Sequence, residues 1–391
     1  MLSGRKITVL GGGIAGLAAA TALARRGADV CVLEQANAIR EVGAGLQISP
    51  NGAAVLAALG LGERLAGIGM RGRAVTLREG RTGRKVLSLN LSRGAGPYHF
   101  VHRADLIGLL ADAARAAGVR IRLLQKVASV RPDDDRACLV TAQGATIPAD
   151  LVIGADGLHS VLRGAVDGPA RPRFTGQVAW RAVVPADGPV PPVATVHMGP
   201  RRHMVSYPLR DGAQVNIVAV EERRAWTAES WTQTDDAANL RAAFAGFAPE
   251  VRALLDRVET VHLWGLFRHP VAAHWHRAGV AALIGDAAHP TLPFMAQGAN
   301  MALEDAWVLA AMLAADDDTA RALAAFQAAR RDRCMRIVAA ASRNARNYHL
   351  RFPPLRMAAH SALRLGGWLA PQRILSRFDW IYGYDAPRAF P

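Results

Sequence analysis

The sequence predicts an α/β fold in which a doubly wound, parallel-stranded domain is interrupted by an inserted antiparallel β-sheet and closed by C-terminal helices. Three stretches carry that expectation. Lys6–Leu10 (KITVL) is an apolar run of strand length that enters Gly11-Gly12-Gly13-Ile14-Ala15-Gly16, an alanine-rich helical stretch and a second strand, Asp29–Leu33, ending on Glu34. Residues 174–184, 193–198, 203–209 and 214–220 alternate or are rich in β-formers, and Pro185-Ala186-Asp187-Gly188, Gly199-Pro200 and Asp211-Gly212 separate them as turns. Residues 280–284 then read as another buried strand and 301–313 as a helix, so the first domain is assembled from both sides of the inserted sheet.

In chain order, the glycine turn is the first chemical signal. Gly11, Gly13 and Gly16 fit G-x-G-x-x-G, which gives a tight turn, room for a pyrophosphate and close helix-on-strand packing. Glu34 stands eighteen residues after Gly16, placed to bind ribose hydroxyls. Strand before, helix after and acid at that distance predict a dinucleotide site rather than a merely tight turn. Residues 41–52 (EVGAGLQISPNG) have no clear period; Gly43 and Gly45 permit close backbone approach, while Pro50 and Asn51 start a helix. Residues 73–78 and 85–91 read as strands around a turn at 79–83. His102-Arg103-Ala104-Asp105-Leu106 opens a helix that runs through Arg115, and Arg103 there suits either a phosphate contact or a surface charge. Residues 119–124 and 126–130 are expected to continue the first sheet, with Asp133-Asp134-Asp135 as a solvated turn. After the buried strand 151–153 comes Gly154-Ala155-Asp156-Gly157, and no second G-x-G-x-x-G follows, which argues against a separate nicotinamide domain.

The stretch 285–305 (GDAAHPTLPFMAQGANMALED) is the densest. Asp286 sits at a strand end, and Gly298 and Ala299 stand where a helix must begin. A helix start presents unpaired N–H groups and partial positive charge, so a flat ligand that becomes anionic on reduction would be well placed there. An ordinary capped strand-loop-helix is the plainer reading of the same residues. His203 and Tyr207, four apart on a strand, project to one face.

Composition excludes several classes. The chain has 391 residues, 51% of them apolar, enough for two cores. No apolar run is long enough to span a bilayer, and no signal-peptide pattern precedes the first strand. Cys31, Cys138 and Cys334 lack metal spacing and fit free thiols in a reducing, cytoplasmic compartment. The formal charge of +15 is nearly all arginine, without a basic tract, zinc spacing or aromatic-basic RNA signature. It suits a field that attracts small anions rather than nucleic acid. In the tail, Leu355, Ala358, Ala359, Ala362 and Leu363 form an apolar stripe that is expected to pack on its own domain rather than on a membrane or partner.

GGGIAG with Glu34, HRADL at 102–106, GADG at 154–157 and GDAAHPTLPFMAQGAN at 285–300 occur in this order, and over nearly its whole length the chain resembles the single-component FAD-dependent aromatic hydroxylases of the p-hydroxybenzoate hydroxylase fold, especially the salicylate, 3-hydroxybenzoate and 6-hydroxynicotinate hydroxylases. The resemblance implies a Rossmann-like FAD-binding domain from residues 1–72, 97–170 and 271–315, a substrate domain from 73–96 and 171–270, and a helical region over 316–391. It also implies that Gly11, Gly13, Ala15 and Gly16 hold the FAD pyrophosphate, Glu34 the ribose, Arg103 the phosphate-ribityl region, Val127 the adenine and Asp286 the ribityl or pyrophosphate. Gly298 and Ala299 would face the flavin carbonyl edge, Pro293 the reactive flavin carbon, and Asp156 both FAD and NAD(P)H. The implied reaction is hydroxylation of a small hydroxylated aromatic or heteroaromatic carboxylate with NADH or NADPH and O2, through a flavin C4a-hydroperoxide. His203 and Tyr207 would meet the substrate hydroxyl, Gln47 and Gln297 would supply amide contacts, and Arg181 and Arg210 are candidate carboxylate anchors, while His289 is structural. The alternative is a same-fold FAD oxidase, epoxidase or reductase on a non-aromatic substrate; a flavin-binding regulatory or nucleic-acid-binding module is a third reading. A monomer or homodimer is expected.

Overall fold

The computed structural model describes residues 2–39, 44–224 and 233–391, so the expectation for Gly43 lies outside the described residues. Lys6–Leu10 lies inside a six-stranded sheet ordered His276–Arg277, Ala281–Leu283, Leu151–Gly154, Lys6–Leu10, Asp29–Leu33 and Arg120–Arg122. Every pairing is parallel except the His276–Arg277 edge. The inner strands are continuous apolar runs because helices cover both faces. One of these helices, Ile14–Ala24, is buried almost throughout. Its alanines leave room for the helix Gly298–Ala315 to pack against its other side.

An eight-stranded sheet forms the second layer, ordered Thr234–Asp235, Val261–Arg268, Arg173–Pro185, Gln214–Glu222, Arg202–Leu209, Val193–Gly199, Ala74–Glu79 and Lys85–Asn90. It is antiparallel except between Val193–Gly199 and Ala74–Glu79, which run parallel. That junction joins strands far apart in sequence, as a parallel pair requires. The mixed α/β architecture with C-terminal helices is the expected one. Among the described residues, no helix is long and apolar enough to cross a membrane.

Two expectations are corrected. Residues 126–130 do not extend the parallel sheet: Val127–Pro132 pairs antiparallel with Ala137–Thr141, itself paired with Thr146–Ala149 in a separate three-stranded sheet. Val127–Pro132 is largely exposed, which a sheet covered on both faces does not accommodate. The tail stripe, too, is the packing face of the helix Pro353–Leu369 only along its Leu363 edge. Leu355, Ala358 and Ala362 are exposed, and His360, Leu363 and Gly367 turn inward. Gly367 meets the sheet so closely that a Cβ would lie 2.6 Å from Leu87. The contact selects a small residue, and an apolar stripe carries no such mark.

Beneath the sheets lies a buried ion cluster. Arg330, on the helix Thr319–Tyr348, reaches Glu304 at 2.7 Å and Asp305 at 2.8 Å. Glu304 is also paired with Arg333 at 2.9 Å, and Asp305 with His289 at 2.5 Å. Cys334 lies beside them, but the cationic partners of Asp305 are already side chains. Burial alone would raise the Asp305 carboxyl, yet His289 and Arg330 hold it down at about 2.

Removing Arg330 would leave two buried carboxylates short of a counter-charge. Arg330→Leu is expected to lower unfolding free energy by about 3–5 kcal/mol, read from urea denaturation. The Asp305 contribution is present above its unfolded pKa of about 3.9 and lost as pH falls through its folded value near 2. The wild type should therefore lose stability across that acid window, and the Asp305→Asn variant should show a shallower loss.

Candidate active site

One cavity of about 1390 Å³ runs from the glycine turn to the eight-stranded sheet. It exceeds the roughly 300–1,000 Å³ of an ordinary small-molecule pocket, so a cofactor and a substrate can share it. At one end, Gly11 has φ +99°, and a Cβ there would meet the Ala155 carbonyl oxygen at 2.5 Å. A Cβ on Gly16 would approach the Gly11 oxygen to 2.0 Å, which is how the helix presses onto its strand. Gly13 differs: nothing lies within 4 Å of its Cβ position, and the residue borders the cavity. The missing side chain leaves volume for a ligand over a helix start with no acid in its first turn. Glu34 accepts the Gly12 N–H at 2.6 Å and the Ala36 N–H at 2.8 Å, so it shapes the loop while also lining the cavity. Ala15 and Val127 line the same end.

Asp286 is the exposed residue in the otherwise buried run 281–290, because its side chain enters the cavity. Enclosure by protein raises its carboxyl, with His289 and Arg103 acting in the opposite direction. Arg103 and Pro293 border the same space. The chain then passes through Ala296 in the left-handed region, φ +53°, to the uncapped start of the helix at Gly298. A Cβ on Gly298 would touch only Thr291 Cγ2, at 3.4 Å, so the N–H groups of Gly298 and Ala299 remain approachable. A bare glycine turn, an acid and an uncapped helix start facing one cavity fit an extended dinucleotide whose ring becomes anionic. Asp156 lines the cavity too, but its carboxylate accepts the Ser160 hydroxyl at 2.5 Å and the Val161 N–H at 2.8 Å, capping the helix Val161–Val166.

At the sheet end, His203, Val205 and Tyr207 face the cavity from Arg202–Leu209, while Met204 points into the core behind it. His203 Nδ1 lies 2.6 Å from His349 Nε2, and His349 Nδ1 lies 3.2 Å from Glu222 Oε1. A carboxylate only accepts, so His349 Nδ1 must donate and its Nε2 must accept from His203 Nδ1–H. That leaves the lone pair of His203 on Nε2 for the cavity. Gln177 Nε2 lies 3.3 Å from the same His349 Nδ1, and since two donors do not bond each other, this tautomer pairs Nδ1 with Glu222 and not with the amide nitrogen. Burial, then His349, pushes the His203 pKa well below the usual value, so the ring is neutral at pH 7. Burial also lowers His349 to about 4 despite Glu222.

Tyr207 packs on Phe100 at 5.3 Å between ring centroids, and burial raises its pKa against opposing effects from Arg181 and Gln47. Gln47 lines the cavity and accepts the Tyr98 hydroxyl at 2.7 Å. Arg181 stacks over Trp264 at 4.6 Å, and burial lowers its pKa to about 10, which leaves it charged at neutral pH. No carboxylate among the described residues pairs with it, and its Nε has no hydrogen-bond partner. Arg210 is no rival anchor, since it forms a two-point pair with Asp105 on the surface. Gln297 is corrected as a substrate contact. Its amide donates to Ser49 Oγ at 2.9 Å and accepts from Asn51 at 3.1 Å, and the side chain is 1% exposed. His289 is structural, locked on Asp305.

Sequence reasoning missed His349, Tyr98, Tyr348 and Trp264. His349 is 146 residues from its partner and carries no local motif, and its role arises only when the long helix ends beside the sheet.

The FAD binding domain family matches residues 5–341. The chain is 36% identical to 3-amino-4-hydroxybenzoate 2-monooxygenase PtmB3 of Streptomyces platensis, over 97% of this chain and 96% of that protein. It is 34% identical to 3-hydroxybenzoate 6-hydroxylase of Polaromonas naphthalenivorans, with the same coverage. Among solved structures, Klebsiella pneumoniae HpxO complexed with FAD and uric acid superposes with a TM-score of 0.85, at 28% identity, covering 98% of this chain and 97% of that one.

The glycine turn separates folding from cofactor binding. Gly13, at φ −82°, tolerates a side chain, and Gly11 does not. Gly13→Val should fold with a normal circular-dichroism spectrum yet purify without FAD, whereas Gly11→Val should lose stability outright. Full flavin content in Gly13→Val would show that this turn does not carry the pyrophosphate.

Proposed function

Because the chain belongs to the FAD binding domain family, we propose that it is an FAD-dependent monooxygenase that uses NAD(P)H and O2 to hydroxylate a small hydroxylated aromatic or heteroaromatic carboxylate. The observation that carries the substrate class is the pairing of groups on one cavity face. His203 presents a proton acceptor there, and Arg181 presents a buried guanidinium that lacks an acid partner among the described residues. A phenolic carboxylate has the two groups that answer them.

Bound FAD supplies the redox chemistry: it takes a hydride from NAD(P)H and activates O2 for hydroxyl transfer to an electron-rich ring. Gly11, Gly13, Ala15 and Gly16 would hold its pyrophosphate, Glu34 and Val127 its adenosine end, and Arg103 and Asp286 its ribityl-phosphate chain. Gly298 and Ala299 would offer N–H groups to the ring edge, with Pro293 as the wall beside it and Asp156 bracing the loop.

The chain's own residues do the rest. Arg181 holds the substrate carboxylate in a two-point contact of the kind a guanidinium makes. The substrate hydroxyl lies against His203 and Tyr207, with Gln47 orienting Tyr207. His203 Nε2 takes the hydroxyl proton, which enriches the ring for attack. His203 passes its Nδ1 proton to His349 Nε2, and His349 passes its own to Glu222, which is paired with Arg351 at the surface. Leu292, Pro293 and Phe294 keep water from the reacting centre.

A screen of NAD(P)H oxidation across phenolic and hydroxypyridine carboxylates, with product mass, tests the assignment directly; stimulation by none of them would overturn it. His203→Ala should slow single-turnover hydroxylation by about a hundredfold and divert NAD(P)H oxidation to H2O2, while FAD content is retained. Tyr207→Phe should uncouple less. Normal product per NAD(P)H in both variants would remove these residues from the chemistry. The buried ring of His203, facing His349, Tyr348 and, through His349, Glu222, Arg351 and Arg202, stays neutral below pH 6.5. Hydroxylation by the wild type should therefore hold its rate as pH falls through 6.5.

A further inference from the structure

The cavity does not end at His203 and Tyr207. Its floor continues across the sheet through cross-strand partners: Arg181 with Val218, Val218 with Val205, Val205 with Val196, Val196 with Leu77, and Leu77 with Leu87. All of them line the cavity. Neighbouring strands lie about 4.8 Å apart, so the floor extends on the order of 14 Å beyond the strand that carries His203. Leu363, Ile374 and Phe378 from the C-terminal helices line the facing wall.

This arm is apolar but not filled. Leu77, Val205, Leu363, Ile374 and Phe378 line it and remain only part-buried. Close-packed interiors do not leave such side chains half covered. The helices and outer strands contribute a single charged lining residue to the arm, Arg377, among the described residues. That lining is unsuited to the pyrophosphate of a nicotinamide dinucleotide and suited to hydrocarbon.

We propose that the arm is a subsite for an apolar substituent, an alkyl chain or a second ring, carried by the aromatic acid. The inference rests on the aromatic-acid reading of the site and narrows it: with the carboxylate on Arg181 and the hydroxyl at His203, the substituent extends over Val205 and Val196 towards Leu77. The enzyme then discriminates by length along this floor as well as by the groups on the ring.

The test compares a hydroxybenzoate with the same acid carrying a pentyl chain, titrated into FAD-loaded enzyme and followed by the flavin absorbance change. Each methylene buried should tighten binding about fourfold, giving on the order of a thousandfold for a fully buried pentyl chain. Leu77→Trp and Ile374→Trp fill the arm from opposite walls. In either variant that retains FAD, the affinity ratio of the two acids should fall at least tenfold. Equal affinities in the wild type, or a ratio that neither variant changes, would overturn the proposal. Turnover is scored separately. If neither acid stimulates NAD(P)H oxidation, the hydroxylase reading of the site is at fault, and the binding ratio still decides whether the arm takes hydrocarbon.

Discussion

Glu304 and Asp305 sit side by side with no exposure in the middle of the protein, and the guanidinium of Arg330 makes that burial tolerable. The two carboxylates then hold both flanks of the cavity. Asp305 accepts the Gly285 N–H at 2.9 Å, which fixes the turn that projects Asp286. Glu304 accepts from Asn51 at 2.6 Å, and Asn51 donates to Gln297, one residue before the helix start at Gly298. Ser49 N–H and the Gln47 carbonyl are tied to Asn300 on the same helix, each at 3.0 Å. The loop that carries Gln47 and the helix that carries Gly298 are therefore one rigid unit. Charges buried this deeply add little net stability when paired, but they penalise every arrangement in which they are not, and that favours a single geometry at the cofactor edge.

The same logic, with a different outcome, governs the sheet end. Arg181 is enclosed and charged, and its neighbours are an indole face, Tyr207 and the cationic Arg103 rather than an acid. A buried cation in that condition is stabilised by an incoming anion, and the +15 formal charge of the chain raises the local concentration of such anions. Opposite in character is the His203–His349–Glu222 chain, in which the only permanent charges lie at its surface end. In the proposed reaction a neutral histidine at the cavity would accept a proton without first losing one, and the carboxylate–arginine pair at the rim would give that proton a destination. Arg181 and His203 share one face of a single sheet with the strand Gln214–Glu222 between them, so two strand spacings set the ligand that could span them.

Much of this was legible from residues. The glycine turn, the acid ending the second strand and the alternation at 203–207 are local rules: backbone conformation at Gly11, closeness at Gly16 and a period of two along a strand. None of them depends on what the segment packs against. The shared face of His203 and Tyr207 followed from that period. The misread segments were those whose partner is decided elsewhere. Residues 126–130 have strand composition, but their exposure sends them to a separate sheet. The stripe containing Leu355 has helical spacing, but Gly367 and His360 mark the face that packs.

By itself the sequence determined most of the elements, the glycine turn, the antiparallel sheet and the shared face of His203 and Tyr207, because these are consequences of chain-local sterics and periodicity. Tertiary structure alone decided that Gln297 is engaged by Ser49 and Asn51, that Arg181 rather than Arg210 enters the cavity, that His349 lies between His203 and Glu222, and that an apolar arm continues past the site. Each of those depends on which atoms remain unpartnered after distant segments meet. A one-dimensional pattern does not specify that remainder, because hydrogen-bond satisfaction and void space are properties of the packed whole.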